Sequence, residues 1–202
     1  MTKEKTPLKW KFKTSFEDKI FGGSIVDSAA VSDGMVYFGS YDNHLYALDA
    51  KTGKEKWKFE TGAAVSSSPA VSDGVVYFGS RDNYLYALDA KTGEEKWKFE
   101  AGDSISSSPT VSDGVAYFGS EDSHLYAVDT KTGEEKWKFE TGDIIYSSPA
   151  VLNGVVYYGA VDHLLDGYLY ALDAKTGEEK WKFYTDQEDD AGEITPTQRN
   201  RF

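Results

Sequence analysis

Apolar residues fall in two contrasting patterns between Ser66 and Gly102. Val75-Val76-Tyr77-Phe78-Gly79 and Tyr84-Leu85-Tyr86-Ala87-Leu88-Asp89 are apolar at consecutive positions. Neighbouring side chains of a strand point to opposite faces, so both segments predict strands covered on both sides. Glu95-Lys96-Trp97-Lys98-Phe99-Glu100 alternates strictly instead, with Trp97 and Phe99 on one face and charges on the other. That pattern predicts a half-exposed strand. Small residues, Ser66-Ser67-Ser68-Pro69-Ala70-Val71, come first. Asp73-Gly74 predicts a tight hairpin, Asp82-Asn83 a second turn, and Ala90-Lys91-Thr92-Gly93 a loop with Gly93 at a positive φ.

Four such strands in succession predict one all-β unit, the blade of a β-propeller. Small residues suit the innermost strand, where blades converge, and Pro69 is tolerated there because that strand is an edge. The lysines of the outermost strand discourage edge-to-edge aggregation. A helical repeat is excluded, because turn signals interrupt the chain every eight to ten residues and no apolar spacing of three to four persists.

The unit repeats. Val36-Tyr37-Phe38-Gly39, Val76-Tyr77-Phe78-Gly79, Ala116-Tyr117-Phe118-Gly119 and Val156-Tyr157-Tyr158-Gly159 mark four second strands. Trp-Lys-Phe begins at Trp10, Trp57, Trp97, Trp137 and Trp181, so the last four recur at 40, 40 and 44 residues. A fixed period of this length marks tandem repeats. Residues 57–96 and 97–136 differ at only 11 of 40 positions, which points to recent duplication or deliberate design. The expected organisation is one domain over 1–202: an extra outer strand over 8–14, blades over 24–62, 63–102, 103–142 and 143–185, and an acidic tail or partial strand over 186–202. Within that tail Ile194-Thr195-Pro196-Thr197 resembles an innermost strand. Two loops break the regularity, Thr14 to Gly22 and Val161 to Gly167.

Charge and composition narrow the function. The net charge is −12, which repels phosphates and argues against nucleic acid as a partner. There is no cysteine, so disulfides, thiolate catalysis and cysteine-based metal sites are excluded. No apolar run reaches the ~18 residues of a membrane span, and Met1 to Pro7 carries no signal-peptide apolar core as written.

The spacing Ala-x-Asp-x-x-Thr-Gly-x-x-x-Trp falls on Ala47, Asp49, Thr52, Gly53 and Trp57. It recurs on Ala87 to Trp97, Ala127 to Trp137 and Ala171 to Trp181. It resembles the tryptophan-docking motif of PQQ-like β-propeller repeats, the family of quinoprotein alcohol dehydrogenases and of the outer-membrane assembly lipoprotein BamB. The resemblance implies that each tryptophan stacks between blades near the glycine of a neighbouring motif, while Asp and Thr stiffen the loop. Family members are often extracytoplasmic and mostly carry seven or eight blades. The adjacent cysteine pair of several quinoprotein dehydrogenases is absent, and no unique acidic or Asn cluster matches their calcium and base set.

His44 and His124 occupy equivalent positions, filled by Tyr84 in the second blade, and are read as strand-packing residues. His163 lies beside Asp162 and Asp166 in the unique loop, short of the three or four ligands zinc needs. No catalytic, cofactor-binding or metal residue is assigned, and no cofactor. The expectation is a non-enzymatic scaffold or protein-interaction module that pairs with a second copy into an eight-bladed ring. For the ring, a closed four- or five-bladed monomer and a fragment of a larger ring stay open beside the dimer; for the function, the alternatives are a propeller binding a small molecule or glycan at repeated positions such as His44, Tyr84 and His124, and a PQQ-dependent oxidoreductase.

Overall fold

The computed structural model describes residues 9–14, 23–161 and 167–185. The described residues form four antiparallel sheets of four strands each. The first sheet holds β1 (Ala30–Ser32), β2 (Met35–Ser40), β3 (His44–Asp49) and β4 (Glu55–Glu60). The second holds β5 (Ala70–Ser72), β6 (Val75–Gly79), β7 (Tyr84–Asp89) and β8 (Glu95–Glu100). The third holds β9 (Thr110–Ser112), β10 (Val115–Gly119), β11 (His124–Asp129) and β12 (Glu135–Glu140). The fourth holds β13 (Ala150–Leu152), β14 (Val155–Val161), β15 (Gly167–Asp173) and β16 (Glu179–Thr185). Each sheet is a meander in chain order, as a propeller blade requires.

Local chemistry sets these boundaries. Asp73 and Gly74 have φ of 50° and 72°, and Asp33-Gly34, Asp113-Gly114 and Asn153-Gly154 repeat the pair. Two successive positive φ values make the mirror-image hairpin turn that matches strand twist. The innermost strands are shorter than expected: β5 starts at Ala70, so Ser66 to Pro69 lie outside it. Those serines make polar contacts instead. Ser67 Oγ donates to the Gly79 carbonyl at 2.9 Å and accepts from the Gly79 amide at 2.7 Å.

The middle strands of the first three blades are buried at consecutive positions, with Leu45, Leu85 and Leu125 fully buried, whereas in the fourth blade β14 alternates between buried and half-buried residues and Leu169, the counterpart of Leu45, is exposed. The outer strands alternate between exposed and half-buried residues, from Glu55–Glu60 to Glu135–Glu140. The core therefore lies between blades. Val65, Val76, Phe78 and Leu88 pack with Tyr37, Leu45 and Ala47 of the blade before.

The extra outer strand expected over 8–14 is not a strand in the described part. Residues 9–14 have no ladder partner. An outer strand needs the third strand of its own blade beside it, and none precedes β1 among the described residues. Trp10 and Phe12 nevertheless point inward as half-buried side chains while Lys9, Lys11 and Lys13 stay exposed. Residues 186–202, and His163 with its loop neighbours Asp162 and Asp166, lie outside the described residues.

Candidate docking faces and the inner rim

Three contacts recur at every described junction between blades, and all can be built from single residues. The first is the tryptophan seat. Asp89 Oδ1 accepts the amides of Lys91 and Thr92, at 3.0 Å each, and the Thr92 hydroxyl at 3.2 Å. This turn holds Gly93 at φ 76° under the Trp57 ring, so close that a Cβ there would lie 2.7 Å from Trp57 Cδ2. Trp57 Nε1 donates to the Ala90 carbonyl at 3.2 Å, and the Tyr37 hydroxyl donates to the same oxygen at 2.9 Å. Trp97 and Trp137 repeat the bond onto Thr130 and Ala174 at 3.0 and 3.1 Å. Burying a ring this large requires a partner for its N–H, and the loop carbonyl supplies it.

The charge on the loop is part of the same device. Asp49 is held down to about 2, first by the Thr52 hydroxyl, then by the Thr52 amide and Lys56. Asp173 is likewise held down to about 2, first by Lys180 and then by the amides of Lys175 and Thr176.

The second contact is a peg in a slot. Gly79 faces the blade-joining segment of the next blade, where Ile105 is fully buried. A Cβ on Gly79 would meet Ile105 Cγ2 at 2.3 Å, and Gly39 with Val65 and Gly119 with Ile145 repeat the fit. The third contact is a serine relay along the inner ends: Ser28 N to Ser68 Oγ at 3.0 Å, Ser68 N to Ser108 Oγ at 2.9 Å, and Ser108 N to Ser148 Oγ at 3.2 Å.

Asp82 and Asp122, read from sequence as ordinary turn residues, also tie blades together. Asp82 Oδ2 accepts the Gly62 amide at 2.7 Å and the Tyr86 hydroxyl at 2.8 Å, and Asp122 does the same with Gly102 and Tyr126. Burial and the neighbouring carboxylate raise the Tyr86 and Tyr126 hydroxyls well above the usual phenol range.

At the two ends of the array the contacts are half-made. On the fourth blade, Trp181 is 45% exposed, and its Nε1 has no hydrogen-bond partner among the described residues. The Gly159 slot holds no described residue of another blade, and the atoms nearest to where its Cβ would stand belong to Ser147 and Tyr168 of its own blade, at 3.7 Å. The Ser148 amide has no acceptor among the described residues. On the first blade the matching halves stand open: Ile25, the counterpart of Ile105, is 47% exposed. Ser28 Oγ has no described donor. Among the described residues only the seat is taken. Trp10 Nε1 donates to the Ala50 carbonyl at 3.1 Å, and its ring lies 2.6 Å from where a Cβ of Gly53 would stand.

The other notable region is the inner rim, where the near-identical blades diverge. One position carries Tyr41, Arg81, Glu121 and Val161 in the four blades. Arg81 Nε donates to Ser66 Oγ at 3.3 Å, with its guanidinium 5.3 Å from the Tyr41 ring centroid. Glu121 Oε1 accepts from Ser106 Oγ at 2.8 Å, and Ser66 and Ser106 lie 3.4 Å apart. Asp27 faces the same arginine, its carboxyl raised by burial and partly lowered again by Arg81. His44 and His124 lie elsewhere and pack as expected, each with Nδ1 on the carbonyl of its own turn, Asp42 or Asp122, at 2.7 and 2.9 Å. Tyr84 sits under Lys98 Nζ, 4.5 Å from the ring centroid. None of the three converges with another titratable side chain from a different blade among the described residues.

Comparison with known proteins gives a consistent result. A 42-residue stretch, 21% of the chain, is 43% identical to the 1-butanol dehydrogenase (quinone) of Thauera butanivorans and spans 7% of that enzyme. Among solved structures, BamB from Moraxella catarrhalis superimposes with a TM-score of 0.65 at 24% identity, over 76% of this chain and 50% of BamB. A quinohemoprotein alcohol dehydrogenase from Pseudomonas putida gives 0.68 at 24% identity, over 76% of this chain and 33% of the enzyme. The computationally designed Ika8 protein gives 0.68 at 20% identity, over 76% and 47%. The chain thus spans half or less of the structures it resembles, and the likeness is one of fold. The family model described as outer membrane protein assembly factor BamB matches residues 7–107 and again 99–200, so the chain belongs to this family of PQQ-like β-propeller repeats.

Proposed function

We propose that the chain is a non-enzymatic interaction module, and that a second copy completes its four blades to an eight-bladed ring. The observation that carries this is the state of Trp181. Three identical tryptophans are seated with their N–H groups bonded, and this one is nearly half exposed with no bond among the described residues. Leu152 and Tyr146 are also exposed in the same blade, at 63% and 53%. Apolar surface of this extent at the end of a repeat array calls for a cover. A second copy offers the complementary halves, because its first blade repeats the surface that blades two, three and four already present inside the chain. A head-to-tail contact that closes after two copies leaves no open end.

The scaffold reading is supported by the distribution of sequence change. Blades so alike offer few asymmetric pockets, and the match to a quinone-dependent dehydrogenase has the length of one repeat, as a shared docking motif produces. Light scattering at micromolar concentration tests the ring. The expected mass is twice the 22.4 kDa of the chain, and a mass near 22.4 kDa at every accessible concentration refutes it.

A second reading, a small-molecule or glycan site, is favoured by one observation: Arg81, Glu121 and Tyr41 differ between blades at the inner rim and are each held by described contacts. Calorimetric titration with sugars and small carboxylates tests it, with Arg81→Gln as the control expected to abolish any heat.

A further inference from the structure

The strap Lys9–Thr14 occupies the site that ring closure needs. Trp10 sits on Gly53 and bonds the Ala50 carbonyl at 3.1 Å, as Trp57 sits on Gly93 and bonds Ala90 at 3.2 Å. Phe12 lies 6.0 Å from Phe38 and 5.4 Å from Tyr46, matching Phe59 at 6.4 Å from Phe78 and 5.4 Å from Tyr86. The strap therefore presents to the first blade the same two rings that an outer strand such as β16 presents through Trp181 and Phe183. Two outer strands cannot share one seat.

We propose that the seat on Gly53 is an exchange site: Trp10 of the same chain closes it in the monomer, and Trp181 of a second copy displaces Trp10 when the ring forms. This rests on the ring-closure reading above. The occupant follows from the contacts around the seat. The strap supplies two rings, and beyond them Thr14 Oγ1 donates to the Gly23 carbonyl, but it has no ladder and no peg or relay partner among the described residues. It leaves Ile25 exposed and Ser28 Oγ without a described donor. A fourth blade from a second copy would bring the same two rings on a strand already paired to β15, together with the open Gly159 slot for Ile25 and the Ser148 amide for Ser28 Oγ. Its interface repeats the three internal ones, and the strap reproduces only the seat. Displacement thus exchanges a partial set of contacts for the full set, while the strap keeps the first blade covered until a partner arrives.

The test is sedimentation equilibrium of four full-length proteins: wild type, Trp10→Ala, Trp10→Ala/Phe12→Ala and Trp181→Ala. Weakening the strap removes a competitor, so both strap variants are expected to dimerise at least tenfold more tightly than wild type, and Trp181→Ala at least tenfold less tightly. A synthetic peptide with the sequence of residues 8–14 should dissociate the dimer of the double variant, and a scrambled peptide should not. The peptide arm keeps the test decisive if a strap variant unfolds, since it can also be run on wild type. Dimers whose affinity is indifferent to the strap substitutions and to the peptide overturn the exchange and leave the ring reading intact. Monomers throughout, in every variant, overturn both.

Discussion

The sharpest test of the half-made interface replaces the same residue in two blades. Trp97 and Trp181 share the local sequence Glu-Lys-Trp-Lys-Phe, so composition and strand propensity predict equal effects of Trp→Ala. The structure predicts unequal ones. Trp97 lies over Gly133 and donates to Thr130 at 3.0 Å. Its removal strips roughly 200 Å² of burial and leaves a cavity, a loss of about 4 kcal/mol, and takes one hydrogen bond from the Thr130 carbonyl, which keeps the Tyr77 hydroxyl at 3.5 Å, for about 1 kcal/mol more. Trp181 is 45% exposed and makes no such bond among the described residues. With about half the buried area, at ~25 cal/mol per Å², its loss should cost about 2.5 kcal/mol. Urea unfolding followed by far-ultraviolet circular dichroism at submicromolar concentration, where any dimer is dissociated, should separate the two variants by about 2–3 kcal/mol. Equal losses at that concentration would refute the claim that the fourth blade has an open face. A gap that narrows as protein concentration rises is the signature of Trp181 finding its seat in a second copy.

Three further outcomes follow from single residues. Gly93→Ala should cost about 3 kcal/mol or more, because the residue has φ 76° and the new methyl would press 2.7 Å from Trp57; Gly74→Ala, at φ 72° with nothing within 4 Å, should cost only about 1 kcal/mol. Comparable thermal shifts for the pair would refute the seat. Tyr158→Phe should stabilise by about 1 kcal/mol in a urea melt, since its hydroxyl is buried with no partner among the described residues where Phe38, Phe78 and Phe118 stand in the other blades; a loss of stability would mean the hydroxyl is bonded. In acid, the loop carboxylates govern the slope. Asp49 and Asp173 are held down to about 2 in the folded state, below the ordinary ~3.9 of an unfolded chain. Their stabilisation is therefore complete above pH ~4 and is lost as pH falls from ~4 to ~2. Asp49→Asn should flatten the melting temperature in that window, and an unchanged slope would count against the turn chemistry.

Much of the blade was legible along the chain. β6, β7 and β8 match the segments predicted from apolar runs and turn residues, because a two-residue side-chain period and an Asp-Gly turn are local properties. The tryptophan seat was legible only through the family resemblance. Nothing local says that Trp57 meets Gly93 rather than Gly53. The peg-and-slot contact was missed. Gly79 reads as the end of a strand and Ile105 as a linker residue just before the small residues Ser106-Ser107-Ser108, and their meeting depends on how one blade leans on the next. The second role of Asp82 was missed for the same reason, since the Gly62 amide lies 20 residues away. The strand expected over 8–14 has no ladder among the described residues 9–14, because a strand is a property of a pair, and the pattern of Trp10 and Phe12 encodes only the face they bury.

By itself the sequence determines a four-stranded unit, its fourfold repetition and its membership of a tryptophan-docked propeller family. The first two rest on periodicity and turn chemistry, which act over a few residues, and the third on the resemblance of the repeated motif to that family's. Only the tertiary structure decides which halves of the inter-blade contacts are joined and which stand open. Trp57, Trp97, Trp137 and Trp181 are chemically the same residue in the same pentapeptide, and what distinguishes Trp181 is the absence, among the described residues, of a following blade to receive it. Packing between repeats is a property of neighbours in space, so identical sequences can be a finished joint in one place and an open docking face in another.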